Sequence, residues 1–241
     1  MTGTAIIPGA TMLYLTAAFC FLLTAAVGGP GNRPRPAVIM AAAGFLLLSV
    51  HGGLLIFSLR RLPLVGGYEA LTILAWTTAA LLLARRRFRN DRIMLAVFGV
   101  VLTLLCAAGG LARLELNYDY FMYASLWAQG FFFFKQLSAG ILLGVILSLI
   151  ASVIGGRPEF DRRLFMAAVI VFLCSELSGS IWGLLGWGDS WHWSANFFES
   201  AVVFFIFMAN LHLPAFMTRN DLRRIPFHLA SAMIITGLFL W

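Results

Sequence analysis

Four histidines are the side chains of this sequence with the clearest chemistry, and they stand at His51, His192, His212 and His228. A neutral imidazole nitrogen is the usual axial ligand of a b-type haem held between membrane helices. His51, His212 and His228 lie in apolar segments, where an ionisable side chain is a functional candidate by default. The alternative for each is a hydrogen bond to a backbone carbonyl or a hydroxyl group. For His228, at the end of its segment, the structural interpretation is favoured, and His192 is either a ligand or an ordinary exposed residue.

Tryptophans cluster around His192 in a short interval between two apolar segments. Four of the seven Trp residues fall between positions 182 and 193, namely Trp182, Trp187, Trp191 and Trp193. A Trp side chain has a large apolar ring and one N–H group, which suits the membrane–water boundary or a flat hydrophobic ligand. An interfacial belt scatters single Trp residues, whereas this clustering indicates a binding surface.

The elements that position these residues are transmembrane helices. The chain is 61% hydrophobic and 11% charged, whereas a soluble domain is roughly half apolar and a quarter charged. A membrane-spanning helix needs about 20 apolar residues. Eight segments qualify or nearly qualify: 6–28, 37–59, 68–84, 93–112, 136–155, 164–186, 199–217 and 226–241. We therefore expect an all-α, polytopic integral membrane protein, a single bundle over 1–241 with an external Trp-rich loop at 187–199.

The basic residues predict the orientation. Thirteen of the seventeen Lys and Arg residues lie in the connections 29–36, 85–92, 156–163 and 218–225, and the other connections hold Arg60, Arg61, Arg113 and Lys135. The positive-inside rule places the first set on the cytoplasmic side of the cytoplasmic (inner) membrane. The Trp-rich loop and both termini are then outside. The net charge of +7 is a topology signal, and it does not indicate nucleic-acid binding.

Cysteine usage excludes two kinds of site. Cys20, Cys106 and Cys174 lie inside apolar segments, and the sequence contains no CxxC or CxxCH motif. Neither a dithiol redox centre nor covalent c-type haem attachment is predicted. We expect these residues to be small buried hydrophobes.

Two elements resemble the cytochrome c assembly family with its WWD signature. The first is the spacing W-x4-WG-x2-W-x-W, which is carried by Trp182, Trp187, Gly188, Trp191 and Trp193, although 194–197 read SANF where the family has Asp-Pro-Lys-Glu. The second is LPLVGGYEALTILAW at Leu62–Trp76, similar to the family's P-L-S-N-x-Y-E-S-L-x-F-L-x-W, with His51 before it as in the family. His212 lies eighteen positions after Ser194, the distance at which the family places a histidine after its WWD aspartate.

The resemblance implies a haem-handling protein that binds b-type haem non-covalently in the bundle and offers it to an apocytochrome. The implied iron ligands are His51 and His212, with His228 as an alternative partner because His51 and His212 differ in depth by more than about 10 Å. Tyr68, Glu69, His192 and the four Trp residues are further implied contacts. For Glu69 an ion pair with Arg60 or Arg61 at the start of a helix is an equal alternative.

A second interpretation stays open. The loop 113–135 contains no histidine, where the family usually has an external haem ligand. A membrane electron-transfer subunit that holds b haem or quinone would also fit. Whether the chain transfers haem or electrons is left open, and the expected partners are a c-type cytochrome or apocytochrome, other membrane subunits and the lipid bilayer.

Overall fold

The computed structural model describes residues 10–27, 34–64, 66–111, 125–156, 159–190, 195–213 and 221–240. Over these residues the chain forms α-helices and no strand, which confirms the all-α prediction. The helices are α1 (Ala10–Val27), α2 (Pro34–Leu59), α3 (Gly66–Ala84), α4 (Arg86–Asn90), α5 (Arg92–Leu111), α6 (Leu126–Ile154), α7 (Arg162–Trp187), α8 (Ala195–Leu211) and α9 (Asp221–Leu240).

Four helices of the described part are long and apolar enough to cross a membrane. They cover Arg35–Leu59, Arg92–Leu111, Leu126–Ile154 and Arg162–Trp187. Shorter apolar helices cover Thr11–Val27, Tyr68–Ala84, Phe197–Leu211 and Pro226–Ile235. This composition is compatible with a membrane location, and the count of eight spans stays a prediction.

Several bounds differ from those expected. Helix α6 begins at Leu126, ten residues before the predicted segment, because the run WAQGFFFF contains no proline and its single glycine costs a helix only about 1 kcal/mol. Lys135, which we assigned to an outer connection, is therefore a buried residue inside α6. The interval predicted as a loop at 187–199 is shorter, since Trp187 still belongs to α7 and Ala195 begins α8.

Local sequence explains where several helices begin and end. The Asp91 side chain accepts a hydrogen bond from the backbone N–H of Ile93 at 2.8 Å, and Asp161 accepts one from Leu164 at 2.9 Å. Each carboxylate satisfies an N–H group that has no partner within its own helix. Helix α7 ends at Gly188, whose φ of 75° is left-handed, a conformation that glycine adopts without steric cost.

Helix α6 is the centre of the bundle. It packs against α3, α5, α7 and α9. Of the residues in its most apolar stretch 72% are buried inside the bundle, whereas the corresponding share for α2 is 28%. Close approach depends on a small residue at one point, because a Cβ on Gly140 would lie 2.6 Å from Cβ of Thr77 in α3. Helix α1 packs against α2 and α5 on the other side. The bundle thus brings α1, α2 and α3 together at one place and α6, α7 and α8 at another.

Candidate functional site

His51 lies on α2 and is completely buried. Its ring centroid is 4.5 Å from that of Tyr14 on α1 and 5.7 Å from that of Tyr68 on α3. The Tyr68 hydroxyl is 3.0 Å from Nε2 of His51. The structure therefore joins two residues that the sequence analysis selected, His51 and Tyr68.

The hydrogen bonds around this cluster leave one nitrogen without a partner. The Thr72 hydroxyl donates to the carbonyl of Tyr68 at 3.1 Å, so its only proton is used and the Tyr14 hydroxyl must donate to Thr72. Nδ1 of His51 has no hydrogen-bond partner among the described residues. If Tyr68 donates to Nε2, Nδ1 carries an unsatisfied proton; if Nε2 donates to Tyr68, Nδ1 is an unsatisfied acceptor. Such a buried group costs about 1–3 kcal/mol. In the tautomer in which Nε2 donates to Tyr68, Nδ1 has a free lone pair and is the candidate ligating atom.

An apolar cleft of about 390 Å³ lies beside this cluster, between α2 and α3. A Cβ on Gly52 or Gly53 would meet no atom within 4 Å, so these two glycines leave the cleft open. Thr72 lines the cleft and also belongs to the His51 cluster, so the two share a wall. The other lining residues are Leu48, Ser49, Ile56, Leu62, Pro63, Ile73, Trp76 and Phe133. The volume and the apolar walls suit an apolar or flat ligand.

Glu69 forms an ion pair, which was one of its two predicted roles. Its carboxylate accepts two hydrogen bonds from Arg61, at 2.7 and 3.0 Å, and their side chains are 1% and 8% exposed. Arg61 also donates to the carbonyl of Leu62 at 2.9 Å. The pair fixes the turn after α2 onto the first turn of α3, above the cleft.

His212 and His228 lie in another part of the bundle. His212 is exposed just after the end of α8, and its Nδ1–H donates to the carbonyl of Met208 at 2.9 Å. His228 is buried on α9, donates from Nδ1 to Oδ1 of Asn210 at 2.8 Å and stacks on Phe160 with centroids 3.8 Å apart. These contacts support the structural role that the sequence favours for His228.

The structure does not bring His51 and His212 together. Helix α2 packs against α1, α3 and α5, whereas α8 packs against α9 and contacts α6 and α7 through aromatic rings. Within the described residues, no group of three His, Cys, Asp or Glu side chains has the arrangement of a metal site.

The described part of the Trp-rich stretch forms an aromatic cluster at the end of α7. The rings of Trp182 and Trp187 are 5.2 Å apart, and Trp182 also contacts Phe131 and Phe132 of α6 at 6.2 and 6.1 Å. Trp187 is 45% exposed. Trp191, His192 and Trp193 lie outside the described residues.

Sequence reasoning missed several residues of this site. Tyr14 has no signal in the sequence, because it is one aromatic residue in a uniformly apolar helix. Trp76 donates from Nε1 to Oγ of Ser49 at 3.0 Å beside the cleft. The sequence offers only the Gly52–Gly53 pair at this place, which by itself does not predict a cleft.

Comparison of the chain with protein family models, with curated proteins and with solved structures gives no match.

Proposed function

We propose that the chain is an eight-span inner-membrane protein with the Trp-rich stretch and both termini on the outer side. Eight apolar helices occur in the predicted order, and the basic residues favour alternate connections. Arg85 and Arg87 pair with Asp161 and Glu159, which ties two of the Arg-rich connections together at one end of the bundle. That end is the cytoplasmic one under the positive-inside rule.

Within this topology the chain is a haem-handling protein of cytochrome c assembly type. The observation that carries this proposal is Nδ1 of His51, a completely buried imidazole nitrogen with no partner in the described structure. His51 would hold the iron, and Tyr68 would keep the ring in place through Nε2. The walls of the cleft between α2 and α3 would cover the apolar macrocycle, and Trp182 and Trp187 would form an aromatic surface at the outer end of the bundle.

Haem is the cargo in this proposal, to be passed to an apocytochrome. Other membrane subunits are further partners. Trp187, which is 45% exposed, would contribute to such contacts. The resemblance implies His212 as a second ligand, but its helix has different neighbours, so we assign the iron to His51.

The haem content of the purified protein tests the assignment. The full chain is produced in haem-replete cells, and haem is measured as the pyridine haemochrome per mole of protein. His51→Ala should remove most of the haem, whereas His212→Ala and His228→Ala should keep it. Wild-type protein without haem, or haem lost only in the His212 variant, would contradict the proposal.

A second variant separates ligand binding from folding. Gly53→Leu adds a side chain to the open cleft, where a Cβ meets no atom, so the variant should fold and lose haem. Gly237→Leu is the matched control, because Gly237 is also open and lies on another helix.

A membrane electron-transfer subunit is the second candidate. The apolar cleft between α2 and α3 favours it, since a quinone needs an apolar slot. Solvent extraction of the purified protein followed by mass spectrometry distinguishes the two candidates. Stoichiometric quinone that Gly53→Leu removes would favour electron transfer, and haem without quinone would favour haem handling.

A further inference from the structure

A second polar cluster lies where α6, α7 and α8 meet. Lys135 of α6 is 6% exposed, and its Nζ is 3.7 Å from Oε2 of Glu199 on α8. The same ammonium group lies 5.4 Å above the ring of Phe131. A buried Lys in an apolar helix needs such partners, because an isolated charge there is costly.

Glu176 of α7 is the third ionisable member. It lies eleven residues before the last residue of α7, which is about 16 Å along the helix axis and so near the middle of a hydrocarbon core about 30 Å thick. Ser200 of α8 lies beside its carboxyl group and is 1% exposed. Neither Oε1 of Glu176 nor Oγ of Ser200 has a partner that meets hydrogen-bond geometry among the described residues.

The charges of this cluster do not balance when every group is ionised. The carboxyl groups of Glu199 and Glu176 both interact electrostatically with Lys135, so one positive charge is shared between two carboxyl groups. Lys135 forms its ion pair with Glu199, and a second carboxylate at this depth would be a surplus charge in a low-dielectric interior. A proton on Glu176 removes that surplus. A metal cation fits poorly, since hard cations require six or more oxygen ligands and the ammonium group repels them.

We propose that α6, α7 and α8 enclose a proton-binding site in which Glu176 carries the proton. The protonated carboxyl group donates to Oγ of Ser200, which gives both unpartnered atoms a partner. On release, the O–H bond of Glu176 breaks and the proton passes to water at the outer end of α8, which leaves two carboxylates beside the single ammonium group of Lys135. Glu199, whose side chain is 27% exposed, lies in the first turns of α8, which begins at Ala195. The site rests on the helices being in a membrane and does not depend on haem.

Infrared spectroscopy of the full chain in proteoliposomes tests the site. At neutral pH the wild-type protein should show the carbonyl band of a protonated carboxyl group, and Glu176→Gln should lose it. Glu159→Gln is the control, because Glu159 is an exposed carboxylate paired with Arg87, and it should keep the band. Glu199→Gln should also keep it, and Lys135→Met should add a second protonated carboxyl group at Glu199.

Three outcomes would overturn the proposal: no such band in the wild-type protein, a band unchanged in Glu176→Gln, or a band lost in Glu199→Gln instead. A hydrophobic carbodiimide gives a measurement that needs no variant. The O–H of a protonated carboxyl group adds across the C=N bond of the carbodiimide, and the O-acylisourea that forms rearranges to a stable N-acylurea on that residue. Mass spectrometry should find the label on Glu176, and a label on Glu199 alone or on neither residue would refute the assignment.

Discussion

Replacing Glu69 by Gln removes one charge from a buried ion pair and leaves its shape almost unchanged. The Arg61 and Glu69 side chains are 8% and 1% exposed, and two hydrogen bonds of 2.7 and 3.0 Å join them. Removing one partner of a buried pair costs about 3–5 kcal/mol, because the other charge stays buried without compensation. We expect Glu69→Gln to lower the free energy of unfolding by an amount in this range.

The assay is equilibrium unfolding in mixed micelles with a denaturing detergent, followed by circular dichroism. The matched control is Glu159→Gln, which removes a carboxylate from the exposed pair with Arg87, where side chains are 60% and 49% exposed. An exposed pair contributes about 0.2–1 kcal/mol. Arg61→Met combined with Glu69→Leu should recover most of the loss, since an apolar replacement of a buried pair is often neutral. A single variant within about 1 kcal/mol of wild type, or a double variant as unstable as the single one, would refute this reasoning.

Two further predictions concern the connections between helices. The hydrogen bonds from Arg87 lower the pKa of the Glu159 carboxyl group below its ordinary value of 4.5. The small contribution of this pair to the free energy of unfolding is therefore fully present above pH 4.5. It is lost as the pH falls through the lowered pKa. The difference in unfolding midpoint between wild type and Glu159→Gln should therefore vanish in acid, and a difference that grows there would contradict it. Cysteines introduced at Asp189 and Arg87, in a background without Cys20, Cys106 and Cys174, should react with a membrane-impermeant reagent from opposite faces. Labelling from the same face would contradict the topology.

Apart from α4, the helices could be predicted from the sequence because each contains an apolar run, and the tertiary contacts could not. The resemblance placed His51 before the Tyr68–Glu69 element, and the structure brings His51 and Tyr68 within hydrogen-bond distance. Tyr14 joins them from α1, and nothing in a uniformly apolar helix shows which face it presents. For the same reason the sequence could not reveal the cleft, which depends on how far α2 stands from α3.

Lys135 shows a different limit of sequence reasoning. Its charge marked the end of an apolar run, so we placed it in a connection. In the structure the helix continues through it, because Glu199 and the ring of Phe131 stabilise the ammonium group inside the bundle. A charged residue such as Lys135 therefore does not mark the end of a membrane-spanning helix when another helix supplies a group that stabilises its charge.

The Trp-rich stretch poses the question of whether its rings act on haem or on a partner protein. Trp182 packs against two Phe rings of α6, so this part of the stretch is built into the bundle, whereas Trp187 is 45% exposed. Trp is also the residue most enriched at the hot spots of protein interfaces. Release of haem on the outer side needs a ligand there, and His192 is the only histidine in the predicted outer connections.

We therefore expect that the chain alone does not attach haem to an apocytochrome with a CxxCH motif. Changing Trp191 and Trp193 together to Ala should weaken binding of a c-type cytochrome more than it lowers the haem content. Co-expression with an apocytochrome in a host without its own assembly genes tests the first expectation, and co-purification beside a haemochrome assay tests the second. Mature holocytochrome in that host would show that one outer histidine is sufficient. A loss of haem equal to or greater than the loss of partner in the double Trp variant would contradict the second expectation.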